Sequence, residues 1–268
     1  MFDIISIIMG ITATVIFYLK MLSPFEVIDL VYIFLFFLVS QVICFLLTVI
    51  FISLYSLTIN KDKEYTKYSP FTHCITKYIC QKILFFTNTH VSVKGMEKLP
   101  KNTRFLFVSN HKNSFDPICY NKILCGYNVA FISKPSNFNI PVIGRLVHRE
   151  FYLPIDRDND KEAIKTIIKA IKLCEKDMCS IGLYPEGTRN KTDKPLLEFK
   201  TGGLKIAQKA NIPIVVSVIK NDKKVTLNPF KKSKISIEIL TVIKPEDFEK
   251  STVDLGKKIQ DIMLKSIT

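Results

Sequence analysis

The chain has 268 residues, 48% of them hydrophobic, with 38 Lys and Arg against 24 Asp and Glu, a net charge of +14 and a pI of about 9.4. That length buries a full hydrophobic core, which excludes a small stapled scaffold, and 20 Phe beside abundant Ile, Leu and Val exclude intrinsic disorder. A mean hydropathy of +0.21 in so basic a chain reads as two compositions joined end to end.

Residues 1–60 hold one cation, Lys20, and three acids, Asp3, Glu26 and Asp29, whereas residues 61–268 carry a net charge of +16. Within the first segment, Ile4 to Leu19 is uncharged. After a break containing Pro24, Leu30 to Asn60 is uncharged as well. As a helix the second run is roughly 45 Å long, more than a hydrocarbon core of about 30 Å requires. The expectation is a membrane-associated helix pair over 1–60, either two spans or a hairpin entering one leaflet. A cleaved signal peptide does not fit, because the first residues carry Asp3 and no cation. Lys61, Lys63, Lys67, Lys77 and Lys82 follow closely, so that side is expected to face the cytoplasm.

Residues 61–268 read as one further domain, without repeats or a Gly/Ser linker. A helix is expected from about Tyr68 to Phe86. Seven strand-like runs follow: Val91–Lys94, Arg104–Ser109, Val129–Ser133, Glu150–Ile155, Cys179–Tyr184, Pro213–Ile219 and Ile235–Val242. Several are continuously apolar, as in strands covered on both faces. Helical patterns lie between and after them, at Pro117–Leu124, Asp160–Asp177, Gly203–Ala210 and Thr252–Ser266. In Asp160–Asp177, Ile164, Ile167, Ile168 and Ile171 form an apolar face and five lysines the polar remainder. The fold class expected is α/β, a mixed, largely parallel sheet flanked by helices. Seven cysteines without a C-x-x-C pair suit reduced packing residues, and four scattered histidines form no metal-ligand pattern with them.

Four segments are candidates for chemistry. Asn110-His111-Lys112-Asn113-Ser114-Phe115-Asp116-Pro117 directly follows a strand, where ligands bind in open α/β sheets. Five steps of about 100° separate His111 and Asp116 on a helix, so only a turn brings carboxylate to imidazole. In that case Asp116 fixes the tautomer and leaves Nε2 as a general base. The competing reading makes Asp116 a helix N-cap ahead of Pro117, with His111 an ordinary loop residue. Ser114 lacks the strand–turn–helix context of a serine nucleophile. Tyr184-Pro185-Glu186-Gly187-Thr188-Arg189 also follows a strand, as an anion-binding turn or as a plain turn with a solvated Glu–Arg pair. Lys134 and Arg157 each follow a strand and are either further cations for the same crevice or solvated charge. Ala210-Asn211-Ile212-Pro213 reads as a helix end feeding a buried strand.

In this order the blocks, Asn-His-x4-Asp, Gly144 to Arg157, Pro-Glu-Gly-Thr-Arg and Ile-Pro-Ile-Val, resemble the glycerolipid acyltransferases over roughly residues 90–245, and the N-terminal apolar pair is similar to that family's anchoring helices. The resemblance implies acyl transfer from an acyl thioester, on coenzyme A or acyl carrier protein, to the 2-hydroxyl of lysophosphatidic acid or another glycerol-phosphate or lysolipid acceptor. It implies no bound cofactor or metal and no nucleic-acid partner. It makes His111 the base and Asp116 its partner, assigns Glu186, Gly187, Thr188 and Arg189 to the glycerol-phosphate, and has Arg157 and Lys134 assist with phosphate. The domain would then act at an anionic membrane surface. Two positions depart from the family's pattern: the aromatic of the first block is Phe115, and Tyr184 stands where Phe is common. Against this stand a non-catalytic lipid-binding module of the same fold and a membrane-anchored hydrolase.

Overall fold

The computed structural model describes residues 2–21, 27–221 and 230–267. Contacts divide the chain into two compact units, Met1–Asn60 and Lys61–Thr268. The first unit is a helix pair, α1 (Phe2–Met21) and α2 (Val27–Leu57). The expected break at Pro24 lies outside the described residues. Within the pair, Ser6 Oγ donates to Gln41 Oε1 at 2.9 Å and Phe17 stacks on Phe36 at 4.7 Å. Gly10 lets the helices approach, since a Cβ there would sit 2.2 Å from the Gln41 side chain. Leu, Ile, Val and Phe side chains are exposed all along α2, and Ile28–Leu57 is long and apolar enough to cross a membrane.

The second unit opens with α3 (Pro70–Phe86). Ser69 caps it by accepting from the Thr72 N–H at 3.3 Å, and Pro70 occupies its first turn. A seven-stranded sheet follows: β1 (Thr89–Lys94), β2 (Leu106–Ser109), β3 (Val129–Ser133), β4 (Leu153–Pro154), β5 (Ser180–Leu183), β6 (Ile214–Asn221) and β7 (Ser233–Ile243). Their order is β1-β7-β6-β2-β5-β3-β4, and among the pairs only β6–β7 is antiparallel. The largely parallel, mixed sheet expected from sequence is therefore present. α4 (Asp116–Ile123), α5 (Ile143–Arg149), α6 (Asp160–Glu175), α7 (Lys205–Ala210) and α8 (Thr252–Ile267) complete the unit. β2 and β5 are buried at every position, which explains their unbroken apolar sequences.

Two expectations change. The run Glu150–Ile155 pairs only at Leu153–Pro154, because α5 precedes it and Phe151 turns the chain with φ +66°. On α6 the buried line is Thr166, Ala170 and Cys174, with Ile167 and Ile171 partly covered, while Ile164 and Ile168 are 56% and 46% exposed. Lysine spacing correctly marked the polar side of α6. The four isoleucines form a stripe wider than the core requires.

Chain order places the site. After β2 the chain crosses to β3 and β4, then returns to insert β5 beside β2 before β6 takes β2's other edge. β2 is thus flanked on both sides by later strands, and the loops after β2 and β5 emerge together where the order reverses. Gly182 on β5 makes this possible, since a Cβ there would lie 2.4 Å from the Phe131 ring. Gly182→Val should overpack this point by about 2 kcal/mol and lower the midpoint of thermal unfolding by roughly 4–8 °C. An unchanged midpoint would mean that Phe131 moves freely.

Candidate active site

His111 leaves the C-terminal end of β2 and Glu186 that of β5. The register Leu106↔Ile181 carries on beyond the sheet: Glu186 Oε1 accepts the His111 backbone N–H at 2.7 Å, and its Oε2 accepts the Leu197 N–H at 2.9 Å. The Asn190 N–H donates to the His111 carbonyl at 2.7 Å. Both backbone polar groups of His111 are therefore held by the segment after β5. On the other side, the Asn110 amide exchanges two hydrogen bonds with the Ile219 backbone, at 2.8 and 3.0 Å, tying the loop to β6.

The turn required to join His111 to Asp116 is present. His111 Nδ1 lies 2.9 Å from Asp116 Oδ2, and the same oxygen accepts the Lys112 and Asn113 N–H groups at 2.8 Å each. Asp116 is completely buried and sits in the first turn of α4. Its side chain reaches back to the loop rather than forward to the helix, so between the two sequence readings the geometry selects the His–Asp pair. Three donors thus converge on one oxygen of Asp116. A carboxylate facing Nδ1 puts the proton there and leaves the Nε2 lone pair available. Tyr184 stacks on the imidazole at 4.3 Å and 18°, with Phe131 stacked behind it at 5.7 Å. The ring is thus held in-plane by Asp116 and on one face by Tyr184. Ser114 is exposed and bonds to Asn113, not to His111, so it does not form a Ser–His pair.

Beside Tyr184 runs a groove of about 370 Å³ whose lining includes Ile155, Arg157, Ile164, Leu183, Gly187 and Lys200. Arg157 is partly buried, and that desolvation lowers its pKa from the ordinary value. No acceptor lies within hydrogen-bond distance of its guanidinium among the described residues. Gly187 takes φ +68°, which closes the turn from Tyr184, and the aliphatic stem of Lys200 packs over it. Thr188 and Arg189 stand exposed on this turn. Glu186 receives a different position from the substrate contact expected: it is 3% exposed, burial raises its pKa, and both oxygens are taken by backbone donors. It braces the loop. Lys134 is exposed at the head of a short turn, Pro135–Asn139, and does not line the groove. Sequence reading missed Lys200 and the stacking of Tyr184. Lys200 bonds its N–H to the Pro185 carbonyl at 2.7 Å, a contact that nothing in its local sequence announces.

A second histidine–carboxylate pair lies elsewhere. His73 Nδ1 is 3.0 Å from Glu150 Oε1 and its Nε2 is 3.1 Å from the Cys125 carbonyl, so both ring nitrogens face acceptors and only the imidazolium satisfies them. The Glu150 hydrogen bond raises the His73 pKa against the opposing effect of burial. With no lone pair to offer, this pair fastens α3 to the end of α5. A raised folded pKa means the contribution is complete below the unfolded value of about 6.5 and is lost as pH rises through the folded value. The gap in thermal midpoint between wild type and Glu150→Gln should accordingly narrow from pH 6 to pH 9. A gap that does not change with pH would show that His73 carries no charge.

Comparison with known proteins identifies the family. The Acyltransferase family model matches residues 90–220, the stretch that holds both loops. A 1-acyl-sn-glycerol-3-phosphate acyltransferase of Haemophilus influenzae is 31% identical over 167 residues, 62% of this chain and 69% of that protein. The protein of that name from Escherichia coli is 32% identical over 60% of this chain and 66% of its own. The crystal structure of a 1-acyl-sn-glycerophosphate acyltransferase from Thermotoga maritima shares the fold, with a TM-score of 0.60 and 21% identity over 83% of this chain and 91% of that one. With its histidine–aspartate loop and its Pro-Glu-Gly-Thr-Arg turn inside the matched stretch, this chain belongs to the acyltransferase family.

Proposed function

We propose that the protein transfers an acyl chain from an acyl thioester to the 2-hydroxyl of 1-acylglycerol-3-phosphate, giving phosphatidic acid. The observation that carries this reading is the buried Asp116 fixing His111 with Nε2 available, beside a groove lined by the partly buried Arg157. The relatives named above act on this class of acceptor.

His111 Nε2 accepts the proton of the acceptor hydroxyl as its oxygen attacks the thioester carbonyl. The resulting imidazolium is stabilised by Asp116, whose three hydrogen bonds hold it in place. Collapse of the tetrahedral intermediate breaks the C–S bond, and the leaving thiolate takes the proton back from Nε2, so no covalent acyl-enzyme is needed. The thiols of Cys80 and Cys119 fit this route. Burial pushes both up to about 12, which leaves them poor nucleophiles. Arg157, Arg189 and Lys200 supply cations for the acceptor phosphate, Arg157 most strongly because it is partly desolvated. The groove's Ile and Leu walls receive apolar chain. Coenzyme A and acyl carrier protein present the same thioester, and either serves as donor. α2 anchors the protein in the membrane, and the lysines after it set this domain on the cytoplasmic side.

Transfer by His111→Ala and Asp116→Asn in native membranes should fall by a factor of about 10² to 10⁴, the range for loss of a positioned base and its tautomer. Arg157→Ala should raise KM for lysophosphatidate about 10- to 100-fold with a smaller change in kcat. Full transfer by both dyad variants would refute the assignment. Preference for glycerol-3-phosphate or lysocardiolipin over lysophosphatidate would move the acceptor while leaving the chemistry.

A further inference from the structure

The catalytic unit carries a surface feature that extends beyond the groove used by the proposed chemistry. On α6, steps of about 100° per residue place Ile167, Ile171, Ile164 and Ile168 within one arc, which also holds Asp160 at the helix's N-terminal end and Glu175 at its C-terminal end and is followed by Lys161, Lys172 and Lys165. Ile164 and Ile167 line the groove. Ile164 is 56% exposed and Ile168, one turn further, 46% exposed, and the lysines beyond them are exposed, Lys165 in a surface ion pair with Glu162 at 2.6 Å. An isolated exposed isoleucine needs no explanation. Here the apolar stripe begins inside the groove beside Tyr184 and emerges onto the surface against a row of cations.

We propose that this face of α6 is a docking surface of the catalytic domain for an anionic bilayer, with Ile164 and Ile168 entering the interface and Lys161, Lys165 and Lys172 meeting lipid phosphates. Charge complementarity and continuity with the groove select lipid as the occupant. The outward helix face is the one a lipid surface reads: aliphatic at one edge and basic beside it. The docked face puts the groove's mouth at headgroup level, so a single-chain lysolipid passes from the leaflet toward His111 without crossing water. This rests on the proposed acceptor being a membrane lysolipid.

The chain contains no tryptophan, so one introduced residue reports alone. Full-length Ile168→Trp is reconstituted in vesicles of phosphatidylcholine and phosphatidylglycerol, with and without phosphatidylcholine brominated on its acyl chains. Lys101→Trp serves as reference; Lys101 is exposed on the loop before β2, at the end of that strand remote from His111. Brominated lipid should quench the Ile168→Trp emission at least about twofold and leave Lys101→Trp unchanged, and the quenching should weaken when phosphatidylglycerol is omitted or salt is raised. Equal emission of Ile168→Trp with and without bromine overturns the proposal. So does protection of that tryptophan from aqueous iodide without lipid quenching, which would assign the face to a second copy of the chain. In a kinetic arm, Ile168→Glu should raise KM for vesicle-borne lysophosphatidate about tenfold, while a short-chain, monomeric lysophosphatidate is turned over at the wild-type rate. If wild type transfers to neither acceptor, the catalytic reading has failed, and the quenching result still decides the docking face.

Discussion

Parallel pairing of β2 with β5 brings together two loops that lie 75 residues apart in sequence. Because that register continues past the last paired strand residues, Glu186 meets the His111 N–H while Asn190 takes its carbonyl. A catalytic loop held by both backbone groups cannot drift away from the loop that carries the cations. The rest follows from this constraint: the His111 ring has Asp116 at its edge, Tyr184 on its face and the groove beyond. Gly182 belongs to the same constraint, since Phe131 must cross β5 closely to support Tyr184.

The electrostatics of the site are divided by depth. Its carboxylates, Asp116 and Glu186, are buried and spent on N–H donors, five hydrogen bonds between them. Its cations, Arg157, Arg189 and Lys200, lie further out at the groove and turn. In the proposed reaction an incoming phosphate meets positive charge, while the negative charge that stabilises an imidazolium stays behind the ring.

Much of this was legible from residues alone because the decisive signals were local. Unbroken apolar runs marked β2 and β5, and apolar periodicity marked the helices expected from about Tyr68 to Phe86 and over Asp160–Asp177. His111 and Asp116 stood five residues apart after a strand, where only a turn joins them. What sequence did not show depends on pairing over distance. Glu186 reads in the motif as a substrate contact, and only the β2–β5 register shows it bracing His111. Lys200 and Lys134 are alike as isolated lysines, yet one returns over Gly187 and the other stays outside the groove. The strand expected at Glu150–Ile155 shortens to Leu153–Pro154 because α5 ends at Arg149 and a left-handed Phe151 and the His73–Glu150 contact govern the turn that follows. Four isoleucines at helical spacing looked like a core face on α6, but small Thr166, Ala170 and Cys174 are what the sheet accepts there.

Central to this account is that Asp116 keeps the His111 proton on Nδ1 and so keeps Nε2 free. Nitrogen-15 NMR of protein with labelled imidazole, with His111 assigned through the loss of its signals in His111→Ala, tests this directly. Above the pH at which His111 loses its second proton, Nδ1 should show the shift of a protonated nitrogen and Nε2 that of an unprotonated one, and Asp116→Asn should redistribute the proton between them. A wild-type His111 with its proton on Nε2, or a tautomer unmoved by Asp116→Asn, would contradict the account.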